Sequence, residues 1–312
     1  MLDAGVSNDA GEVQRDVDIE QEAPAEDGSD QVVDLDAPLA EQNGFGPAGR
    51  MVTMIVPEAP DQARRDGCII YGEKVGTGLS SLLQLAGGLD NFLVPGGDGQ
   101  IPLLMMVQMI GWESGQGSGS LDALDLVFFQ GTVGEEGEFL IAPVEGDPER
   151  EAGTVFSGAL VDEGWVETDQ QDLGLTVPFL DIPISLNLVA TKVTGRVYSD
   201  GPGAGMRKGV LTGYMDVAGA IELVSDIQAG CASENPPAIC PAINNVIPLD
   251  RPAEESLDAI VTFAGGFDTR MESGFPYPCD PSVDDIEGGC NAIGLCILVE
   301  MDGIVISGVA EP

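Results

Sequence analysis

The chain contains no histidine. That absence removes Ser-His-Asp and Cys-His nucleophilic catalysis, histidine-liganded zinc and imidazole acid-base work together. Any enzymatic chemistry has to run on carboxylates, serine, tyrosine or lysine. Basic residues are scarce: 12 Lys and Arg face 53 Asp and Glu, and lysine occurs only as Lys74, Lys192 and Lys208. A formal charge of -41 repels phosphate backbones and anionic head groups, which argues against nucleic acid or an anionic membrane surface as partner. The same excess suits cation binding, high salt, or solubility outside the cell, and composition does not separate the three. Aromatics make up 5% of the chain, too few for the wide stacking cleft of a typical polysaccharide enzyme. No run reaches the roughly 20 apolar residues of a membrane helix; the longest, IPLLMMVQMIGW, contains Gln108. MLDAGVSNDAGEV has neither a basic start nor an apolar stretch, so no signal peptide is read there.

What is present describes a folded domain behind an acidic lead. Hydrophobic residues are 43% of 312, enough to bury a core. Residues 1–48 are acidic, nearly free of aromatics and without a period of 2 or 3.6, so their composition predicts a disordered tether. Residues 49–312 are expected to form a single β-rich domain.

Six cysteines allow fifteen connectivities. Two short segments, CASENPPAIC and CDPSVDDIEGGC, begin and end in cysteine, and the CxxC spacing of zinc sites never occurs. The expected pairs are therefore Cys231 with Cys240 and Cys279 with Cys290, leaving Cys68 for Cys296. Disulfides imply an oxidising compartment: periplasm, cell surface or medium.

Apolar runs bounded by glycine recur at roughly ten-residue spacing with no alternating βαβ rhythm. They predict a mainly β fold, an antiparallel β-sandwich or barrel-like domain with about three peripheral helices. In ISLNLVATKVTGRVYS, Ile184, Leu186, Leu188 and Ala190 share one face, then Val193, Gly195 and Val197 continue in the opposite phase. A bulge near Thr191 is expected, because one inserted residue flips every later side chain. Helices are expected over TGLSSLLQLAGGLDNFLVPGG, after Asp216 as N-cap, and after Asp250 as N-cap up to Gly265-Gly266. Asp302-Gly303, between two apolar runs, predicts a closing hairpin.

The sharpest chemical candidate is the loop CDPSVDDIEGGC. Asp280, Asp284, Asp285 and Glu287 could supply several of the six to eight oxygens that calcium takes. Their spacing is not that of an EF-hand, and the plain alternative is an acidic turn closed by its disulfide. GTVGEEGEF and VEGDPERE read as solvated acidic turns. A carboxylate-dependent glycoside hydrolase is the second reading, because such enzymes need only two facing acids. Asp122, Asp125, Glu163 and Glu167 lie in sequence beside Trp112 and Trp165, and tryptophan stacks on sugars. GPGAGMRKG lacks the GK[ST] ending of a phosphate loop and is rejected as one.

The succession of acidic tether, GLSSLLQLAGG, LDLVFFQG, VTGRV and GVLTGYMDVAGAIELV resembles a group of uncharacterised exported or lipoprotein-like bacterial proteins, over most of residues 68–309. The resemblance implies an extracytoplasmic location and no known activity. A lipid-bearing cysteine would be expected ahead of the tether in such proteins, and here none precedes Cys68. The preferred reading is a secreted or surface-tethered β-domain with a binding or structural role, disulfide-stabilised, with calcium as the one candidate cofactor and an extracellular ligand or envelope component as partner.

Overall fold

The computed structural model describes residues 45–68, 83, 88–112, 121–144, 147–151, 153–162, 164–179, 182–280 and 289–311. Its strands in chain order are β1 (Ala48–Ile55), β2 (Leu104–Ile110), β3 (Leu121–Val133), β4 (Phe139–Ile141), β5 (Pro143–Val144), β6 (Asp147–Glu151), β7 (Gly153–Asp162) and β8 (Trp165–Glu167). They continue as β9 (Gln171–Phe179), β10 (Ile182–Asp200), β11 (Gly203–Asp216), β12 (Arg270–Glu272), β13 (Phe275–Tyr277), β14 (Ala292–Ile304) and β15 (Ile306–Val309). Four α-helices occur among the described residues: α1 (Pro60–Arg65), α2 (Val217–Cys231), α3 (Cys240–Ile243) and α4 (Ala253–Phe263).

One main sheet runs in the order β15-β4-β3-β2-β1-β14-β11-β10-β8-β7, with β9 on β10. It curls so far that β7 also pairs with β3. The architecture is thus a half-barrel of one curled sheet, and the sandwich of two stacked sheets is not what forms. Every pairing in it is antiparallel except β15 with β4.

Alternation along the strands decides the core. Met105, Val107 and Met109 of β2, Leu124, Leu126 and Phe128 of β3, and Ile293, Leu295, Ile297 and Val299 of β14 face one shared apolar interior. Helices α2 and α4 pack into it through Ala220, Leu223, Val224, Ile227 and Ile260. The opposite residues of β2 and β3, Leu104, Met106, Val127 and Phe129, make a second cluster under β4 and β15.

The helix after Asp216 forms as its sequence predicts, and the Asp216 carboxylate accepts from Gly219 N at 2.9 Å. Asp216→Ala is expected to cost about 1 kcal/mol, the usual worth of an N-cap, read from a urea midpoint. Helix α2 also protects a sheet edge: Asp226 accepts from Ser185 N at 2.6 Å, and Glu222 accepts from the Asn187 side-chain amide at 2.6 Å. The Asp226 carboxylate thus occupies a β10 backbone N–H that another strand would otherwise pair with.

Three expectations change. Asp250 does not cap the later helix: α4 begins at Ala253 with Pro252 as its N-cap, and no side chain closes it. VEGDPERE is not simply a turn, because Asp147–Glu151 pairs with Pro143–Val144. Asp302-Gly303 does not turn: β14 runs straight through it, with Asp302 opposite Arg50 and Gly303 opposite Gly49. Glycine is required there by crowding rather than by a turn, since a Cβ on Gly303 would lie 2.4 Å from the Asp200 carbonyl oxygen. The expected helix from Thr77 falls mostly outside the described residues, and its described end, Leu89–Leu93, is a 3-10 turn.

Candidate functional site

The disulfides join Cys68 to Cys296, Cys231 to Cys240 and Cys279 to Cys290. Cys296 points away from the main interior and, with Cys68, Ala63 and Val210, forms a small apolar cluster beneath α1. Cys231 ends α2 and Cys240 begins α3, so their bridge clamps the intervening loop. The third bridge closes the acidic loop. Asp280 in that loop is exposed, while Asp284, Asp285 and Glu287 lie outside the described residues. Among the described residues no group of three metal-ligating side chains occurs.

The hydrolase candidates separate. Trp112 is buried at 2% exposure and donates its indole N–H to Ser199 Oγ at 3.3 Å, so it offers no stacking face. Asp125 stands on β3 and Glu167 on β8, with β7 between them in the sheet. Glu167 is taken up in an ion pair with Lys192. The side chains of Asp122 and Glu163 lie outside the described residues.

What the fold does build is a groove the sequence did not reveal. The phase change in β10 is real: Ala190 adopts φ 48°, and the pairing slips between Val189 and Lys192. A left-handed alanine costs about 1–2 kcal/mol unless its surroundings hold it. Here Asp172 accepts from Ala190 N at 3.1 Å, and Thr191 Oγ1 donates to the Leu188 carbonyl at 3.2 Å. Thr168, itself buried, accepts from Val193 N at 2.9 Å through Oγ1. Thr168→Val leaves that buried N–H without an acceptor and is expected to cost about 1–3 kcal/mol, whereas Thr168→Ser keeps the oxygen and most of the stability. Urea unfolding of the pair of variants checks this.

Opposite the bulge stands the β12–β13 hairpin. Its tip is Ser273-Gly274, with φ of 53° and 81°, the doubly positive pattern of a tight type I′ turn. Asn291 fixes the hairpin to the sheet like a strand residue: its amide oxygen accepts from Met271 N at 2.6 Å and its amide nitrogen donates to the Met271 carbonyl at 3.1 Å. Arg270 stacks over Tyr277 at 5.5 Å and pairs with Glu272.

Between bulge and hairpin lies an open groove of about 610 Å³, lined by Thr168, Asp169, Gln170, Asp172, Ala190, Lys192 and the tip Ser273-Gly274-Phe275. Phe275 is 57% exposed although the protein buries most of its phenylalanine surface. Trp165 is 43% exposed on the outer face of β8, two residues from Glu167 and so about 7 Å along the strand from it. Glu167 in turn reaches Lys192 in the groove. One exposed aromatic, Phe275, therefore stands over a polar floor, and Trp165 lies further along β8, outside that lining. Sequence reasoning missed this because the three contributing segments are widely separated in the chain. The one usable local signal was Ser273-Gly274 between RME and FPY.

A second polar cluster is closed on itself. Arg207 lies 5.0 Å over the Tyr198 ring and donates to Met301 O and Asp302 Oδ1, both at 2.9 Å. Burial, joined by the nearby Asp200, Asp302 and Glu300 and opposed by Arg207, pushes the Tyr198 phenol above its ordinary value. This cluster ties β10, β11 and β14 together.

No protein-family model, curated protein or solved structure matches the chain.

Proposed function

We propose that this protein is a secreted or surface-tethered binding domain whose ligand occupies the groove between the β10 bulge and the β12–β13 hairpin. The observation that carries the proposal is the exposure of Phe275 over that groove. A large apolar ring held in water by a hairpin that is itself fixed through Asn291 is a preformed contact for a partner. The three disulfides indicate an oxidising, extracytoplasmic environment. No helix among the described residues is long and apolar enough to cross a membrane. Binding through such a groove needs no catalytic pair of acids, which agrees with the separation of Asp125 from Glu167.

Arrays of glycans and peptides probed with the parent protein and with Phe275→Ala test the reading. At least one class is expected to bind the parent protein and to weaken several-fold with the variant. Equal binding by both proteins throughout would remove the groove from consideration.

Calcium held by Asp280, Asp284, Asp285 and Glu287 is the accompanying proposal for the closed acidic loop. A ligand specific to the folded form raises the melting midpoint through RT ln(1 + [L]/Kd). The expected result is a rise with millimolar calcium that magnesium and matched sodium do not reproduce and that the Asp284→Ala, Asp285→Ala variant lacks. An equal response to every salt would make the loop an acidic turn alone.

A further inference from the structure

We infer that the groove receives an organic cation, the ammonium or guanidinium head of a lysine- or arginine-bearing segment of a partner protein. The inference rests on the groove being the binding site and names what it selects. Four observations converge on one chemistry. First, among the described residues the lining contains a single cation, Lys192, and its ammonium is already paired with Glu167. An anionic ligand therefore finds no free positive charge among the described lining residues. Second, Asp169 is exposed and holds no side-chain partner among the described residues, and Asp172 has committed only Oδ1, to Ala190 N. Carboxylates are acceptors only, so the ligand must bring donors. Third, Phe275 presents an exposed ring at the edge of the same floor, and the negative face of an aromatic ring attracts a cation. Fourth, the protein's charge of -41 raises the encounter rate of any basic partner. The overall field acts everywhere on the surface; the ring and the bulge localise the contact.

A neutral sugar would use the aromatic face and the carboxylates, but it would gain nothing from the field and nothing from the pairing of Lys192. A basic side chain uses every feature. Its apolar stem can lie along Phe275 while its head reaches Asp169 and Asp172.

The test uses the intact protein and short peptides with alternating arginine and glycine, against the same peptides with glutamine for arginine and against neutral oligosaccharides. Trp165 fluorescence reports binding, because Trp165 is exposed on the adjoining face while Trp112 is buried. The arginine peptide is expected to bind and the glutamine peptide not. Phe275→Ala is expected to weaken binding about tenfold, the equivalent of a desolvated cation–π contact. Asp169→Asn with Asp172→Asn should weaken it at least as much. Glu135→Gln with Glu136→Gln, which removes the same charge from a turn outside the groove's lining, should change it less than twofold. Equal losses in both charge pairs, or no loss in Phe275→Ala, would reduce the binding to general charge attraction and overturn the inference. Binding of a neutral oligosaccharide that depends on Phe275, without binding of the arginine peptide, would keep the groove and discard the cation. If no probe depends on Phe275, the groove reading and the inference fall together.

Discussion

Replacing Cys68 and Cys296 together by alanine is expected to lower stability by about 5 kcal/mol, the largest effect of any change to the side chains described above. The bridge spans 228 residues of sequence. In the chain-entropy account, a cross-link stabilises by restricting the unfolded ensemble, and a loop of this length corresponds to about 5 kcal/mol. The Cys231–Cys240 bridge spans only 9 residues, and the same relation gives about 2.5 kcal/mol for its removal. The ordering of the two variants is therefore the sharper expectation. The longer bridge also sits among Ala63 and Val210, with Cys296 at 1% exposure, so its loss disturbs packing beneath α1 as well. Urea unfolding of each double variant under non-reducing conditions measures both. A Cys68→Ala, Cys296→Ala protein with the parent midpoint would contradict the placement of this bridge at the centre of stability.

Gly203→Ala is expected to be the most damaging single substitution outside the cysteines, costing about 3 kcal/mol. A Cβ at Gly203 would lie 2.5 Å from the Ala48 carbonyl oxygen, 2.5 Å from Ile304 N and 2.6 Å from Ile304 O. All three are backbone atoms, so no rotamer change relieves the contact. Gly49 meets the same constraint from the other side, its Cβ position lying 2.4 Å from the Ala204 carbonyl oxygen. The tip of the β10–β11 hairpin therefore crosses β1 and β14 at backbone contact distance, and Gly303 N donates to Asp200 Oδ2 at 2.8 Å within this crossing. Gly97→Ala is the control, because nothing lies within 4 Å of its Cβ position. It should stay within about 0.5 kcal/mol of the parent. A Gly203→Ala melting curve that overlays the Gly97→Ala curve would mean the crossing is looser than described.

These glycines also explain where the sequence misleads. Asp302-Gly303 carries the composition of a tight turn, yet the residue is glycine because another backbone passes over it. Composition alone does not distinguish a glycine needed for φ from one needed for space. GPGAGMRKG is the same case: rejected as a phosphate loop, it forms the start of β11 and supplies Gly203, Gly205 and Gly209 to close strand contacts. The long strands were legible, because β2, β3, β9, β10, β11 and β14 are long enough for apolar runs or alternation to show. The bulge at Ala190 was legible for the same reason, as a change of phase inside a 19-residue strand. Strands of three residues, such as β4, β8, β12 and β13, are too short to display a period and form because longer neighbours or a hairpin turn hold them. The sandwich and barrel alternatives differ only in how far the sheet curls, which depends on the pairing of β7 with β3 and not on any local pattern.

The groove was hidden for a related reason. Thr168, Ala190 and Phe275 come together only through the β8–β10 pairing and the anchoring of the hairpin by Asn291. GTVGEEGEF, an acid-rich segment that attracts attention in the sequence, is absent from the described lining of the groove. In the sequence Trp165 reads as a stacking residue and its neighbour Glu167 as a candidate acid. The structure instead uses that acid to neutralise Lys192, which changes the sign of what the groove can accept.

The three bridges carry both the oxidising setting and the ties of Cys68 to β14, of α2 to α3, and across the acidic loop. The decisive measurement is a non-reduced peptide map by mass spectrometry of the protein isolated from the cells that make it. Linked peptides joining Cys68 with Cys296, Cys231 with Cys240 and Cys279 with Cys290, with no alkylatable thiol, are the expected result. Free thiols at Cys231 and Cys240, or any exchanged pairing, would contradict the placement of the bridges and the oxidising setting inferred from them.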